Sequence, residues 1–216
     1  MKIIGLSGRA ESGKNTVADM MVEMCHDSGL SVTTRAFADP VKLMVERLNP
    51  IVAHTVTPVD DGDEVHPVRI SDLLDMYEDP AFNFTWSQRW DFIKVRPEVR
   101  ALLQRMGTEA GRGTLGDDVW VDLMHRRILK DETQDIDVVI VTDTRFESEQ
   151  RLIKNLDDSR LILIERPTKN SLGVNSTHLS ETSLNTSLTD VTLNNDGDLD
   201  ELREKVRFEL NSLLTQ

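Results

Sequence analysis

The 216-residue chain carries 25 Lys and Arg against 38 Asp and Glu, a formal charge of −13, with 38% hydrophobic and 29% charged residues. No run of 18 apolar residues and no basic-apolar leader occurs, so a soluble cytoplasmic protein built on one core is expected, and the surplus of acids argues against a nucleic-acid polymer or an acidic membrane as partner, because few cations are available to release counterions. The single cysteine, Cys25, excludes an internal disulfide framework and a CxxC metal knuckle, and is expected to pack.

KIIGLS (2 to 7) reads as an apolar strand that runs into a glycine-rich turn. Val17, Met20, Met21 and Met24 then recur at helical spacing until Gly29. SVTTRAFADP (31 to 40) reads as a second strand ending near Phe37, followed by a helix with Asp39 as N-cap and Pro40 at its first position. The rhythm breaks between 49 and 115, where an acidic run at 60 to 64 reads as a solvated loop without the alternating oxygen ligands of a calcium site. The same stretch holds NFTWSQRWDF and a helix with Val99, Leu102, Leu103 and Met106 on one side. DVVIVTDTR (137 to 145) and RLILIERP (160 to 167) have the nearly unbroken apolar character of strands covered on both faces, with a helix over 146 to 157 between them. DVTLNNDGD (190 to 198) supplies a last strand and turn, and Leu199, Leu202, Val206, Leu210 and Leu213 stripe a terminal helix. Five strands alternating with helices predict an α/β fold with a parallel sheet and right-handed crossovers.

Gly8-Arg9-Ala10-Glu11-Ser12-Gly13-Lys14 matches the G-x-x-x-x-G-K phosphate-loop pattern, after a strand and at the opening of a helix. Its glycines let successive backbone N–H groups face a β-phosphate, and Lys14 adds a cation that bridges the β- and γ-phosphates. The next residue is Asn15, and the hydroxyl suited to magnesium comes one later, at Thr16. In open parallel sheets, ligands bind beyond the carboxyl ends of the strands. Those ends carry Gly8 to Thr16, then Ala38, Asp39 and Lys42, then Asp143 and Arg145, then Arg166, then Asn195 and Gly197.

Asp143 is placed to hold magnesium or to cap the next helix, and Arg145 to clamp a transferring phosphoryl group or to pair with Glu149. Arg105, Glu109 and Arg112, spaced by four and three, would present two cations around a carboxylate on one helical face, although Gly107 and Gly111 weaken an uninterrupted helix and a surface ion-pair ladder is the rival. Trp120 is a candidate wall of a base slot or a core residue. The polar segment 166 to 182 reads as a flap containing His178 and Glu181.

With GLSGRAESGKNTVAD, FADPVK, LLQRMGTEAGR, DDVWV, TDTRFESE, ERP, HLSE and LNNDG in this order, the chain resembles the phage-type deoxynucleoside monophosphate kinases, a branch of the P-loop kinases. The resemblance covers the chain except roughly 49 to 97. It implies a three-layer α/β/α P-loop kinase with a five-stranded parallel sheet (core 1–48 and 116–216), a helical monophosphate-binding insertion at 49–115 and a lid at 167–186. It further implies transfer of the γ-phosphoryl of ATP to a deoxynucleoside monophosphate with Mg2+, in the host cytoplasm if the chain is phage-encoded, and leaves homodimerisation and base preference open. ATP would lie on Gly8, Arg9, Ala10, Glu11, Ser12, Gly13, Lys14, Asn15, Thr16 and Arg166, with its adenine near Asn195 and Gly197. The acceptor would meet Ala38, Asp39, Lys42, Gln104, Arg105, Thr108, Glu109, Arg112, Trp120 and Arg145. Lys14, Arg145 and Arg112 would carry catalysis, and Thr16 and Asp143 the metal. Asn15 departs from the acidic residue expected at its position. A P-loop kinase of another acceptor, such as dephospho-coenzyme A, and a P-loop ATPase switch are the alternatives; the absence of NKxD makes a GTPase the weaker form of the latter.

Overall fold

The computed structural model describes residues 1–60, 62–166 and 184–215. The chain forms two compact units, one of Met1–Phe37 with Val121–Gln216 and one of Ala38–Trp120.

The first unit is a three-layer α/β/α sandwich. Strands β1 (Lys2–Ser7), β2 (Val32–Arg35), β5 (Val138–Thr144), β6 (Ser159–Glu165) and β7 (Val191–Asn194) form one sheet in the order β2-β5-β1-β6-β7, every pair parallel. Each strand read from the sequence is present, and the central ones are apolar throughout because helices cover both faces. On one face Ile4, Leu6, Val138, Ile140, Ile162, Ile164 and Leu193 pack against Val17, Met20, Met21, Met24 and Cys25 of α1 (Lys14–Asp27) and Leu202, Val206, Leu210 and Leu213 of the terminal helix α9 (Leu199–Leu214). On the other, Ile153 of α8 (Glu147–Lys154) meets the sheet over Gly5 and Leu161. Cys25 packs as expected, and burial, then the Asp137 carboxylate, push its thiol above the ordinary range, which makes it a poor nucleophile. Leu199 departs from the predicted stripe: it is the first residue after the Asp198 cap and stands 65% exposed. Arg35 at the end of β2 makes a bidentate pair with the buried Asp131 of α7 (Val119–Glu132), at 2.9 Å and 2.5 Å.

The second unit has its own core of Val45, Ile70, Leu73, Leu74, Trp90, Ile93 and Val99, with Leu102, Leu103 and Met106 packed against it as the sequence pattern implied. It is built from α2 (Asp39–Leu48), β3 (Ile51–Val59), β4 (Gly62–Arg69), α3 (Ile70–Asp75), α4 (Trp86–Ile93), α5 (Pro97–Gln104), a π-helical turn over Arg105–Arg112 and α6 (Gly113–Leu115). The sequence grouped 39–48 with the core; Val45 packs instead with Ile70 and Trp90, so α2 belongs to this unit. The cap of α2 is Ala38, one residue before the predicted Asp39, with Asp39 and Pro40 inside the first turn. The acidic run expected as a loop is the end of an antiparallel hairpin in which Val56 pairs with Val65 and Val59 with Gly62. Exposure of almost every hairpin residue erased the alternation that marks a half-buried strand. None of the described helices is long and apolar enough to cross a membrane.

Candidate active site

At the carboxyl end of β1 the chain turns through Gly8 and reaches α1 at Gly13. Positive φ at Gly8 (143°), Glu11 (61°) and Gly13 (99°) folds the loop into a concavity of backbone amides. Side chains are excluded at both glycines: a Cβ on Gly8 would lie 2.4 Å from the Ile164 carbonyl oxygen, and one on Gly13 would lie 2.4 Å from Nδ2 of Asn195. Lys14, 7% exposed, donates to the carbonyls of Gly8 at 2.8 Å and Arg9 at 2.7 Å, so its ammonium lies folded along the loop. Arg9, Ala10, Glu11, Asn15 and Thr16 are exposed, whereas Ser12 is buried.

Three buried hydroxyls occur at this end of the sheet. Ser7 is the residue before Gly8, Thr144 is its register partner on β5, and Ser12 lies in the loop; none of the three Oγ atoms has a hydrogen-bond partner among the described residues. Buried hydroxyls without partners are costly, and bound water or ligand oxygens would relieve that cost. Asn195, after β7, donates its Nδ2–H to the Ser12 carbonyl at 2.9 Å. The sequence placed Asn195 toward the nucleoside, and in the structure its amide holds the loop. Gly197 sits against Glu201 of α9, and Arg166 follows β6 exposed.

Asp143, near the end of β5, accepts the Phe37 N–H at 2.7 Å through Oδ1 and thereby ties β2 to β5. It does not cap α8: Phe146 occupies that cap position. The buried Glu149 accepts the backbone N–H groups of Arg145 at 2.8 Å and Phe146 at 3.1 Å, which fixes the main chain that carries the Arg145 side chain. Magnesium prefers oxygen ligands and keeps several waters beside one or two protein groups. The exposed Thr16 hydroxyl and the Asp143 carboxylate are donors of that kind, and no group of three or more His, Cys, Asp or Glu among the described residues competes for a metal.

The second unit carries the predicted acceptor residues apart from Arg145, which belongs to the first. Gln104 ends α5, and Arg105, Thr108, Glu109 and Arg112 lie on the π-helical turn, which replaces the regular helix whose spacing suggested one cationic face. The wider turn redistributes them. Arg105 approaches Glu109 at 3.8 Å with both side chains over 70% exposed, and Arg112 donates to the Asp117 carbonyl at 2.7 Å. Trp120 explains the widening: its Nε1–H donates to the Gly107 carbonyl at 2.8 Å, and its ring lies so close to Gly111 that a Cβ there would be 2.2 Å from Cζ2. At 4% exposure this tryptophan packs beneath the segment. Lys42, on α2, is 6% exposed. His178 and Glu181 lie outside the described residues, as does most of the predicted lid.

Residues 73–206 match the family model described as deoxynucleotide monophosphate kinase. The chain belongs to that family. Its match contains the Arg105–Arg112 segment, Asp143, Arg145 and Asn195, so the deoxynucleotide kinase family likeness spans residues of both units. The chain is also similar to the deoxynucleoside-5′-monophosphate kinase of Escherichia phage T5, with 28% identity and 84% of each chain covered. Among solved structures it is similar to a dephospho-CoA kinase from Campylobacter jejuni at 14% identity, covering 99% of this chain and 98% of that one with a TM-score of 0.41. Ser7 and Thr144 escaped the sequence reading of this site, and Glu149, named there only as an ion-pair partner of Arg145, accepts backbone N–H groups, a role that the three-residue spacing from Phe146 signalled.

Proposed function

We propose that the protein transfers the γ-phosphoryl of ATP to a deoxynucleoside 5′-monophosphate, giving the diphosphate for DNA precursor synthesis in the cytoplasm where it is made. The observation that carries this reading is the loop at residues 8–14, whose left-handed turns and carbonyl-bound Lys14 ammonium form a cradle for a polyphosphate, in a chain of the deoxynucleotide kinase family.

Both substrates are anions, so positioning and charge compensation carry the chemistry. Lys14 exchanges its two loop carbonyls for phosphate oxygens when ATP arrives, and the amides of the loop bind the β-phosphate. Asn195 acts on ATP through the loop it holds, Gly197 lies toward the adenine, and Arg166 is assigned to ATP. Lys42, Arg105 and Arg112 bind the acceptor phosphate, with Ala38, Asp39, Gln104, Thr108 and Glu109 around them and Trp120 as the support of the segment. Arg145, with its backbone fixed by Glu149, meets the phosphoryl group in transfer. Thr16 and Asp143 would hold Mg2+, which when bound offsets charge on the phosphate oxygens. No strong base is needed, because the acceptor phosphate is already ionised near neutral pH.

Coupled measurement of ADP release across the common deoxynucleoside and nucleoside monophosphates tests the reading. Release that depends on a deoxynucleoside monophosphate and disappears in Lys14→Ala is the expected result. Release indifferent to every monophosphate would identify an ATPase instead.

A further inference from the structure

Lys42 poses a problem that the second unit solves in an unusual way. Its side chain is only 8% exposed, and its ion pair with Asp39 is a long one, at 3.9 Å. A buried ammonium is costly unless paired. An aromatic face adds to that long pair: the Trp86 ring centroid lies 5.5 Å from Nζ. Glu46, one turn along α2 from Lys42, is at the spacing of a helical ion pair, but its carboxylate is used elsewhere. Oε2 accepts the Nε1–H of Trp86 at 2.6 Å and that of Trp90 at 3.4 Å. The two rings meet edge to face at 6.1 Å, with Trp90 fully buried in the core of the unit.

We infer that Glu46 and Trp86 are a positioning pair that holds the Lys42 ammonium in place for the phosphate of the acceptor monophosphate, an inference that rests on the proposed kinase reading. A ring beside a long ion pair, in place of a close carboxylate, has a chemical reason. A carboxylate in contact would neutralise Lys42 and occupy its N–H groups, and an incoming phosphate would have to displace it. The ring quadrupole attracts the cation and leaves its donors available to an oxyanion. Glu46 fixes the ring through the indole N–H and spends its own charge there, at a distance from the ligand.

Four variants test the pair. Trp86→Leu removes the ring, Glu46→Ala frees it, Trp86→Phe keeps a ring without the N–H, and Glu46→Gln keeps an acceptor oxygen without the charge. In Trp86→Leu and Glu46→Ala the KM for the deoxynucleoside monophosphate should rise about tenfold, and more than kcat falls, with the KM for ATP unmoved. Glu46→Gln should remain within about threefold of the parent, and Trp86→Phe should fall between. Calorimetric titration of the monophosphate without ATP should give the same ranking. If Trp86→Leu fails to fold, the two Glu46 variants still decide the matter. Unchanged monophosphate affinity in Glu46→Ala, with only a lowered melting temperature, overturns the inference and leaves the kinase reading intact; a parent protein that binds no monophosphate overturns both.

Discussion

The phosphate loop of the first unit and the 105–112 segment of the second both combine glycines with cations at a helix, yet they use them in opposite ways. In the loop the glycines admit left-handed turns, and the cation is internal: Lys14 is buried and bonded to carbonyls of its own turn. In the segment Gly111 admits a tryptophan ring, and Arg105 projects into solvent with a partner at 3.8 Å. A prefolded cradle gives up little freedom when a polyphosphate binds, whereas an exposed arginine must be ordered by its ligand. On the proposed reading, the donor side is largely set in advance, and the acceptor side is completed by the substrate.

The largest expected effect is that of Lys14→Ala, which should lower kcat/KM about 10³- to 10⁴-fold while the melting temperature moves by only a few degrees. A loss below tenfold would break the comparison at its root. Arg145→Ala should cost about 10³-fold in kcat. Arg105→Ala should cost less than tenfold and act mainly on the monophosphate KM, as suits an exposed group, so steady-state kinetics on both substrates separate the two regions. Gly13→Ala should weaken ATP binding and destabilise the fold by about 1–3 kcal/mol, because φ is 99° and Asn195 fills the space, readable by calorimetry and by chemical denaturation. Asp131→Ala should cost about 2–3 kcal/mol by denaturant unfolding, below the range for fully buried pairs because the Arg35 side chain is 28% exposed, and should leave both KM values alone. The smallest effect concerns Asp137. The backbone N–H and then the hydroxyl of Ser31 hold its carboxylate below the ordinary value, so its contribution is complete above about pH 3.9 and is lost as the pH falls through the lowered folded value. Asp137→Asn should flatten that part of the acid limb of a stability–pH curve.

The features legible in the sequence were those with a local code. Apolar runs gave the five strands of the sheet, a 3.6-residue period gave α1 and the terminal helix, and the glycine spacing gave the loop. What escaped depends on partners distant in sequence or on backbone geometry. Asn195 is 183 residues from the carbonyl it holds, and Trp86 is 40 from the Glu46 carboxylate. The π-helical turn was signalled only by Gly107 and Gly111, whose role becomes visible once the Trp120 ring lies against Gly111 and its N–H donates to the Gly107 carbonyl. Solvent on both sides of the β3–β4 hairpin removed the alternation that would have announced it.

That hairpin also carries a safeguard. It is a ribbon of two strands with no third strand beside it among the described residues, and Val56 and Val65 on one face are each more than half exposed. Such a ribbon could template growth of the sheet by another molecule. Pro58 and Pro67, one on each strand, interrupt both rims: a proline fits a ladder where its nitrogen points outward, and there it removes the donor a newcomer would need. The arm can therefore be long, apolar in places and open to water without recruiting its neighbours into a fibre.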